Sequence, residues 1–243
     1  KAIIDLGNNL KWIARLGSGM EHIDVMYARS KNINCVSSPE GNSNAVAEHA
    51  MGLLIGLMRN IPKSIEEVKK YKWLREENRG QEISGKTIGI IGYGNTGSRF
   101  AKLLSSFDAP ILVYDKYKSN IKDHYVAETD LTTLLQKSDI ISFHIPLNAE
   151  TGYMANAAFF AELKQQPILI NTSRGGVVDT SALIDALKQK RISGAALDVL
   201  ENEKLDTYTP EEKQVFETLN NFDNVMITPH IAGYSHEATY KMS

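Results

Sequence analysis

Residues 85–97 read GKTIGIIGYGNTG, an apolar run that breaks into glycines at positions 92, 94 and 97. A buried strand that ends directly in Gly-x-Gly-x-x-Gly predicts a tight turn into a helix, here one that begins near Ser98. Gly92 allows the turn, Gly94 lets the backbone approach a pyrophosphate, and Gly97 lets helix and strand pack closely, with the helix amides facing the phosphates. The spacing alone is weak evidence. Context strengthens it: a second apolar run, ILVY at 111–114, ends in Asp115, where a carboxylate accepts from the ribose hydroxyls of an adenosine. The charge of Asp115 repels a 2'-phosphate, which favours NAD over NADP. Lys116 and Lys118 lie close enough to soften that repulsion.

Outward from this turn the chain alternates short β-rich runs with helical patterns. The runs at 87–91, 110–114, 139–143, 167–171, 194–199 and 224–228 are continuously apolar, as expected of strands covered on both faces. Between them SRFAKLLSSF, DLTTLLQKS and TSALIDALKQK read as helices, the last with Asp179 or Thr180 as N-cap. Strand–helix alternation of this kind predicts an α/β fold with a doubly wound parallel sheet. Upstream, AVAEHAMGLLIGLM (45–58) is apolar nearly all round and predicts a buried helix between two domains. Residues 1–40 repeat the pattern in miniature, with LKWIARL as a strand and VSSPEG as a loop.

The composition narrows the classes. A chain of 243 residues, 42% apolar and 23% charged, builds a sizeable core and about two domains. A net charge of -2 offers no basic face for a nucleic acid. The single cysteine, Cys35, excludes an internal disulfide framework and suits a reducing cytoplasm. No apolar run approaches the roughly 18 residues that span a bilayer, and KAIIDLGNNLK at the start lacks a signal-peptide core. No histidine and carboxylate spacing reads as a metal site, so catalysis is expected to need no metal.

The chemistry is expected at strand ends. NTSRGGVVD (171–179) follows the apolar run PILI, and an arginine there cannot sink unpaired into the core. Ligands of doubly wound sheets bind at the carboxyl ends of the strands, so Arg174 is expected to face the cofactor crevice. Glu203 follows GAALDV and His230 follows NVMIT at comparable ends. Together they suit the reduction of a 2-oxo acid: a cation for its carboxylate and carbonyl, a proton donor, and an acid that favours the donor's charged form. The plain alternatives are a surface pair of Arg174 with Asp179, a solvated Glu203 and a packed His230. His144 is expected to shape the cofactor pocket rather than to donate protons.

Over nearly its whole length the chain resembles the D-isomer-specific 2-hydroxyacid dehydrogenases. The resemblance rests on LGSGMEHID (16–24), GNSNAVAEHA (41–50), GKTIGIIGYGNTG (85–97), HIPLNAET (144–151), INTSRGGVVD (170–179), GAALDVLENE (194–203) and NVMITPHIAG (224–233). It implies an NAD-binding Rossmann domain over 43–233. It also implies a second, smaller, flavodoxin-like substrate domain over 1–42, rejoined by 234–243 and read as incomplete, with hinges near 42–44 and 232–236. The family's catalytic arginine, glutamate and histidine fall on Arg174, Glu203 and His230, and its carboxylate-binding loop on Ser18 and Gly19. Its cofactor contacts fall on Gly92, Tyr93, Gly94, Asn95, Thr96, Gly97, Asp115, His144, Pro146, Thr151, Thr172, Ser173, Asp198, His230 and Gly233, with Asp198 on the nicotinamide carboxamide. The chain departs from the pattern at Leu200 and Lys204, so Glu201 competes with Glu203, and the loop EKLDTYTPEEKQVFETLNNF is unusual. The resemblance implies a homodimer acting on a small 2-hydroxy or 2-oxo acid, with D-3-phosphoglycerate and glycerate or hydroxypyruvate as candidates. An NAD(H)-sensing corepressor on the same fold is the alternative.

Overall fold

The computed structural model describes residues 1–7 and 9–243. Its first elements form a small α/β unit: α1 (Ala2–Leu6), β1 (Trp12–Arg15), α2 (Val25–Ser30) and β2 (Asn34–Ser37). β1 and β2 pair in parallel around a small core of Ile4, Ala28 and Ile33. Two helices follow, α3 (Ser43–Met58) and α4 (Ile61–Lys69).

The remaining elements build the large sheet: β3 (Ile88–Ile91), α5 (Asn95–Leu104), β4 (Ile111–Tyr114), β5 (Ala127–Glu128), α6 (Leu131–Lys137), β6 (Ile140–Phe143), α7 (Ala157–Glu162), β7 (Ile168–Asn171), α8 (Thr180–Lys188), β8 (Gly194–Leu197), α9 (Pro210–Asn220), β9 (Val225–Ile227) and α10 (His236–Met242). The seven strands run in the order β5-β4-β3-β6-β7-β8-β9, and every pair is parallel. The order reverses at β3, flanked by β4 and β6, which makes the end of β3 a switch point where such sheets bind ligands.

Two cores explain why the strands are apolar throughout. On one face Ile88, Ile90, Ile111, Val113, Ile140 and Ile170 pack under α3 and α5. On the other, Ile91, Ile141, Phe143 and Leu169 pack under α6 to α9. Phe100 and Phe143 are fully buried, and each such side chain contributes roughly 1.5–3 kcal/mol of transfer free energy.

Several elements depart from the sequence reading. α5 starts at Asn95 rather than near Ser98, with Gly94 as its N-cap, so the glycine turn runs straight into the helix. VSSPEG gives up Val36 and Ser37 to β2, because β1 supplies the partner ladder. β8 ends at Leu197, leaving Asp198 in the following loop. The stretch read as an unusual loop holds a 3-10 turn (Leu205–Thr207) and then α9, opened by a capping box. Thr209 accepts from the Glu212 amide at 3.2 Å, and Glu212 accepts from the Thr209 amide at 2.8 Å. Asp179 is the N-cap of α8, accepting from the Ala182 amide at 3.0 Å.

Candidate active site

The carboxyl ends of β3, β4, β6, β7, β8 and β9 present Gly92, Asp115, His144, Arg174, Asp198 and His230 along one edge of the sheet. Gly92 turns with φ 95°, and a side chain there would strike the backbone carbonyl of His144 at 2.4 Å. Only glycine lets the loop after β6 approach so closely. Asp115 closes the turn from the other side. Its Oδ2 accepts from the Tyr93 amide at 2.7 Å, and its Oδ1 from the amides of Tyr117 and Lys118 at 2.9 and 3.0 Å. Beside it a cavity of about 510 Å³ is lined by residues 114–119 and 128–130. Lys116 pairs with Glu150 at 2.9 Å, and Lys118 donates to the Tyr93 carbonyl at 2.8 Å, so both cations near Asp115 are engaged.

His144 and Thr172 stand at the ends of the neighbouring strands β6 and β7. Nε2 of His144 meets the Ser142 hydroxyl at 2.9 Å, and its ring packs on Phe100. Nδ1 of His144 and Oγ1 of Thr172 are buried without a hydrogen-bond partner among the described residues. Burial pushes the imidazole pKa down to about 3, so the ring is neutral. Two orphaned polar atoms beside a glycine-cradled helix start fit a dinucleotide that brings its own donors and acceptors.

Arg174 leaves β7 through a loop tied by Asn171. The Asn171 Oδ1 accepts from the Ser173 amide at 3.0 Å and the Ser173 hydroxyl at 2.8 Å, while its Nδ2 donates to the Arg174 carbonyl at 2.9 Å. The two glycines after Arg174 answer to packing: a Cβ on Gly175 would lie 1.9 Å from the Leu200 carbonyl. The side chain does not pair with Asp179. Its Nε donates to Glu21 Oε1 at 2.7 Å, and its Nη1 donates to the Ser173 carbonyl at 2.7 Å. Burial pushes the Glu21 carboxyl up, but the Arg174 hydrogen bond and charge prevail and hold it below the usual range. Gly19 lies directly beneath the pair, since a Cβ there would fall 2.0 Å from Arg174 Nη2.

Glu203 reaches His230, with Oε2 2.8 Å from Nδ1, and leaves Nε2 free of that contact. Glu201 is occupied elsewhere: Oε2 accepts from the Tyr153 hydroxyl at 2.7 Å, and Oε1 from the Thr180 amide at 2.9 Å. His230 itself sits in the left-handed region at φ 56°. Its amide donates to the carbonyls of Asp198 and Thr228 at 2.8 and 3.0 Å.

Asp198 is 1% exposed and serves this loop. Its carboxylate accepts from the Thr228 hydroxyl at 2.5 Å and from the amides of Ile231 and Ala232 at 3.0 and 2.8 Å. His49 of α3 completes the group, 3.0 Å from Thr228 Oγ1 and 3.4 Å from Asp198. Burial would raise the Asp198 pKa; the bonds from His49, Thr228, Ala232 and Ile231 outweigh it and hold the carboxylate ionised. The role expected of Asp198, on the nicotinamide carboxamide, therefore competes with four protein donors.

Other expected contacts are placed less directly. The Tyr93 side chain turns away to Asp123 at 2.7 Å, leaving only its backbone at the turn. Thr151 closes its own loop, donating to the Pro146 carbonyl at 2.6 Å. Gly233 packs on Asn42, where a Cβ would lie 2.8 Å from the amide nitrogen. From the sequence, His49 belongs to no acid–base constellation, and Glu21 and Asn171 carry no mark of a working residue. Glu21 and His49 each stand inside a quoted motif, yet nothing local marks them, because their partners lie far away in sequence.

Comparison with known proteins bears on this arrangement. Residues 51–232 match the model of the D-isomer specific 2-hydroxyacid dehydrogenase NAD binding domain. The chain is 39% identical to a hydroxypyruvate reductase of Thermotoga maritima, over 97% of this chain and 75% of that protein. It is 40% identical to a glyoxylate reductase of Thermofilum pendens, over 99% of this chain and 71% of that protein. Among solved structures, a D-lactate dehydrogenase from Aquifex aeolicus in complex with NAD and lactic acid superposes with a TM-score of 0.90 at 33% identity, covering 100% of this chain and 75% of that one.

The switch-point sheet and its glycine turn, together with the family match, define a nicotinamide dinucleotide-dependent oxidoreductase. The chain belongs to the D-isomer specific 2-hydroxyacid dehydrogenases. It uses NAD as cofactor and acts on the CH–OH group of a 2-hydroxy acid.

Proposed function

We propose that the chain reduces a short 2-oxo acid of the glyoxylate and hydroxypyruvate kind, with Arg174, Glu203 and His230 as its working side chains. The observation that carries this reading is the Glu203–His230 contact at the same sheet edge as Arg174. NAD supplies the hydride acceptor or donor when bound. The turn at Gly92, Gly94 and Gly97 with the start of α5 would hold its pyrophosphate, Asp115 its ribose hydroxyls, and His144 and Thr172 its inner half.

The chain's own steps follow from the geometry. The amides of Ser18 and Gly19 and the Nη edge of Arg174 bind the substrate carboxylate, and the guanidinium polarises the C2 carbonyl. Glu203 fixes the proton on Nδ1 of His230 and balances the ring's charge, which directs Nε2–H to the carbonyl oxygen. As C2 is reduced, that oxygen takes the Nε2 proton and becomes the hydroxyl; the imidazole is left neutral and recovers a proton from solvent.

Water must be kept out while this occurs. The small unit 1–42, rejoined by 234–243, would close on 43–233 about hinges near 42–44 and 232–236. Support comes from the packing of Gly233 on Asn42 and from the Ser38 hydroxyl, which donates to the Met242 carbonyl at 3.2 Å.

The working form is a homodimer in the cytoplasm. The all-apolar helix α3 is covered within the chain by α5 and the sheet and offers no partner surface. The exposed stripe lies on the next helix: Ile61, Ile65 and Val68 of α4, with Trp73 beyond, are 41%, 49%, 50% and 84% exposed. The spacing i, i+4, i+7 puts the first three on one face, as a partner surface requires.

NADH oxidation by the full-length protein, measured with hydroxypyruvate, glyoxylate, pyruvate, 2-oxoglutarate and 3-phosphohydroxypyruvate, tests the reading. The first two should give the highest kcat/KM. Failure to turn over any of the five overturns the proposal.

A further inference from the structure

The pairing of Arg174 with Glu21 joins the small unit to the large one across 153 positions of sequence. The side chains are 25% and 36% exposed, so this is a half-buried pair rather than a solvated surface contact. Two of the three guanidinium nitrogens are assigned: Nε to Glu21 and Nη1 to the Ser173 carbonyl. Nη2 remains, and it lies over Gly19, in the loop proposed to bind the substrate carboxylate. Glu21 Oε2 crowds the same glycine, 2.2 Å from where a Cβ would stand. The tips of the glutamate and the arginine thus meet over the one position of the loop that carries no side chain.

We propose that Glu21 is a positioning residue for Arg174: by accepting from Nε it turns the Nη edge of the guanidinium toward the 2-oxo acid and fixes that edge only when the small unit is docked. The inference rests on the reading of Arg174 as the substrate-binding cation. An arginine side chain has four rotatable bonds and a planar fork, so the fork is useful only if its plane is held. The Ser173 carbonyl leaves the guanidinium free to swing about one bond, and a second acceptor on Nε removes that freedom. Since Glu21 comes from the small unit, the plane is set by domain docking.

A competing arrangement makes the opposite forecast. If Glu21 instead occupied the place of the substrate carboxylate, removing it would free the site and tighten substrate binding. Charge and hydrogen bonding can also be separated, because Gln keeps an acceptor oxygen opposite Nε and loses the charge.

The test uses full-length protein saturated with NADH. KM and kcat are measured for the best 2-oxo acid, and the Kd of oxamate, an unreactive amide with the shape of a 2-oxo acid, is measured by calorimetry. Glu21→Ala should weaken oxamate and raise KM by about tenfold or more and lower kcat, with the NADH Kd unchanged. Glu21→Gln should stay within about threefold of the parent in all of these. In the background of Arg174→Lys, Glu21→Ala should add little, because the fork it positions is already gone. An oxamate Kd for Glu21→Ala that is unchanged or tighter overturns the proposal, and so does a Glu21→Gln variant as impaired as Glu21→Ala. Oxamate binding that responds to Glu21 in a parent that turns over no 2-oxo acid would sink the activity while leaving the positioning role standing.

Discussion

Nδ1 of His230 stands 2.8 Å from Oε2 of Glu203, while Glu201, two positions upstream, is turned onto Tyr153 and Thr180. The two glutamates are neighbours in sequence and do different things in space. His230→Ala should lower kcat by about two to four orders of magnitude with little change in NADH affinity, because proton transfer is lost and the dinucleotide turn is intact. Glu203→Gln should lower kcat by about one to two orders of magnitude, because the charged acceptor that orients the His230 ring through Nδ1 is lost, and Glu201→Gln should not. Near-parental turnover by His230→Ala, or a kcat lowered by Glu201→Gln and not by Glu203→Gln, would overturn the assignment.

Cofactor preference depends on which charges near Asp115 are free. Lys116 is paired with Glu150 and Lys118 with a backbone carbonyl, so a 2'-phosphate would have to compete with those partners for either cation. The protein should prefer NAD(H) clearly, and Asp115→Ala should narrow the gap by removing the repulsion. It should also weaken both cofactors, since three amides lose their acceptor. Equal kcat/KM with NADH and NADPH in the parent would count decisively against this.

The neutral burial of His144 makes stability depend on pH in a definite direction. Its pKa is about 3 in the folded chain against 6.5 for the free side chain. The unfolded chain thus takes up a proton that the folded chain refuses. The stability this group contributes is complete above about pH 6.5 and is lost progressively toward about pH 3, with a loss of about 2 kcal/mol reached at about pH 5. Urea unfolding of the parent and of His144→Asn, at about pH 7.5 and about pH 5, should show the parent losing about that much more. Parallel losses in the two proteins would show that the imidazole is not buried neutral.

Association should depend on α4. Ile65→Asp places a charge in the middle of the exposed stripe and should leave a folded monomer at micromolar concentration, where light scattering of the parent should show a dimer. A monomeric parent under the same conditions would dispose of the dimer.

The strands and the glycine turn were legible because their causes are local: continuous apolar runs need two covered faces, and Gly92 needs a positive φ. The capping box of Thr209 and Glu212 was equally local, and α9 could have been read from it. Arg174, Glu203 and His230 could be picked out as candidates because a parallel sheet presents its loops along one edge. What sequence did not show were partners set by closure of the fold. Glu21 of the small unit meets Arg174 beyond β7, and His49 of α3 meets Asp198 beyond β8, contacts between elements far apart in sequence. The stretch around Val36 and Ser37 took its strand character from β1, not from its own residues.

The strand order β5-β4-β3-β6-β7-β8-β9 has a mechanical consequence. Asp115 and the glycine turn belong to the wing on one side of β6; Arg174, Asp198 and His230 belong to the wing on the other. A dinucleotide reaching from ribose pocket to catalytic loops would act as a staple across the seam between the wings, worth about 2.7 kcal/mol at a hundred times its Kd. A fragment such as AMP grips one wing alone. NADH should therefore slow amide hydrogen exchange in both β4 and β9, whereas AMP should slow it in β4 and leave β9 as it was.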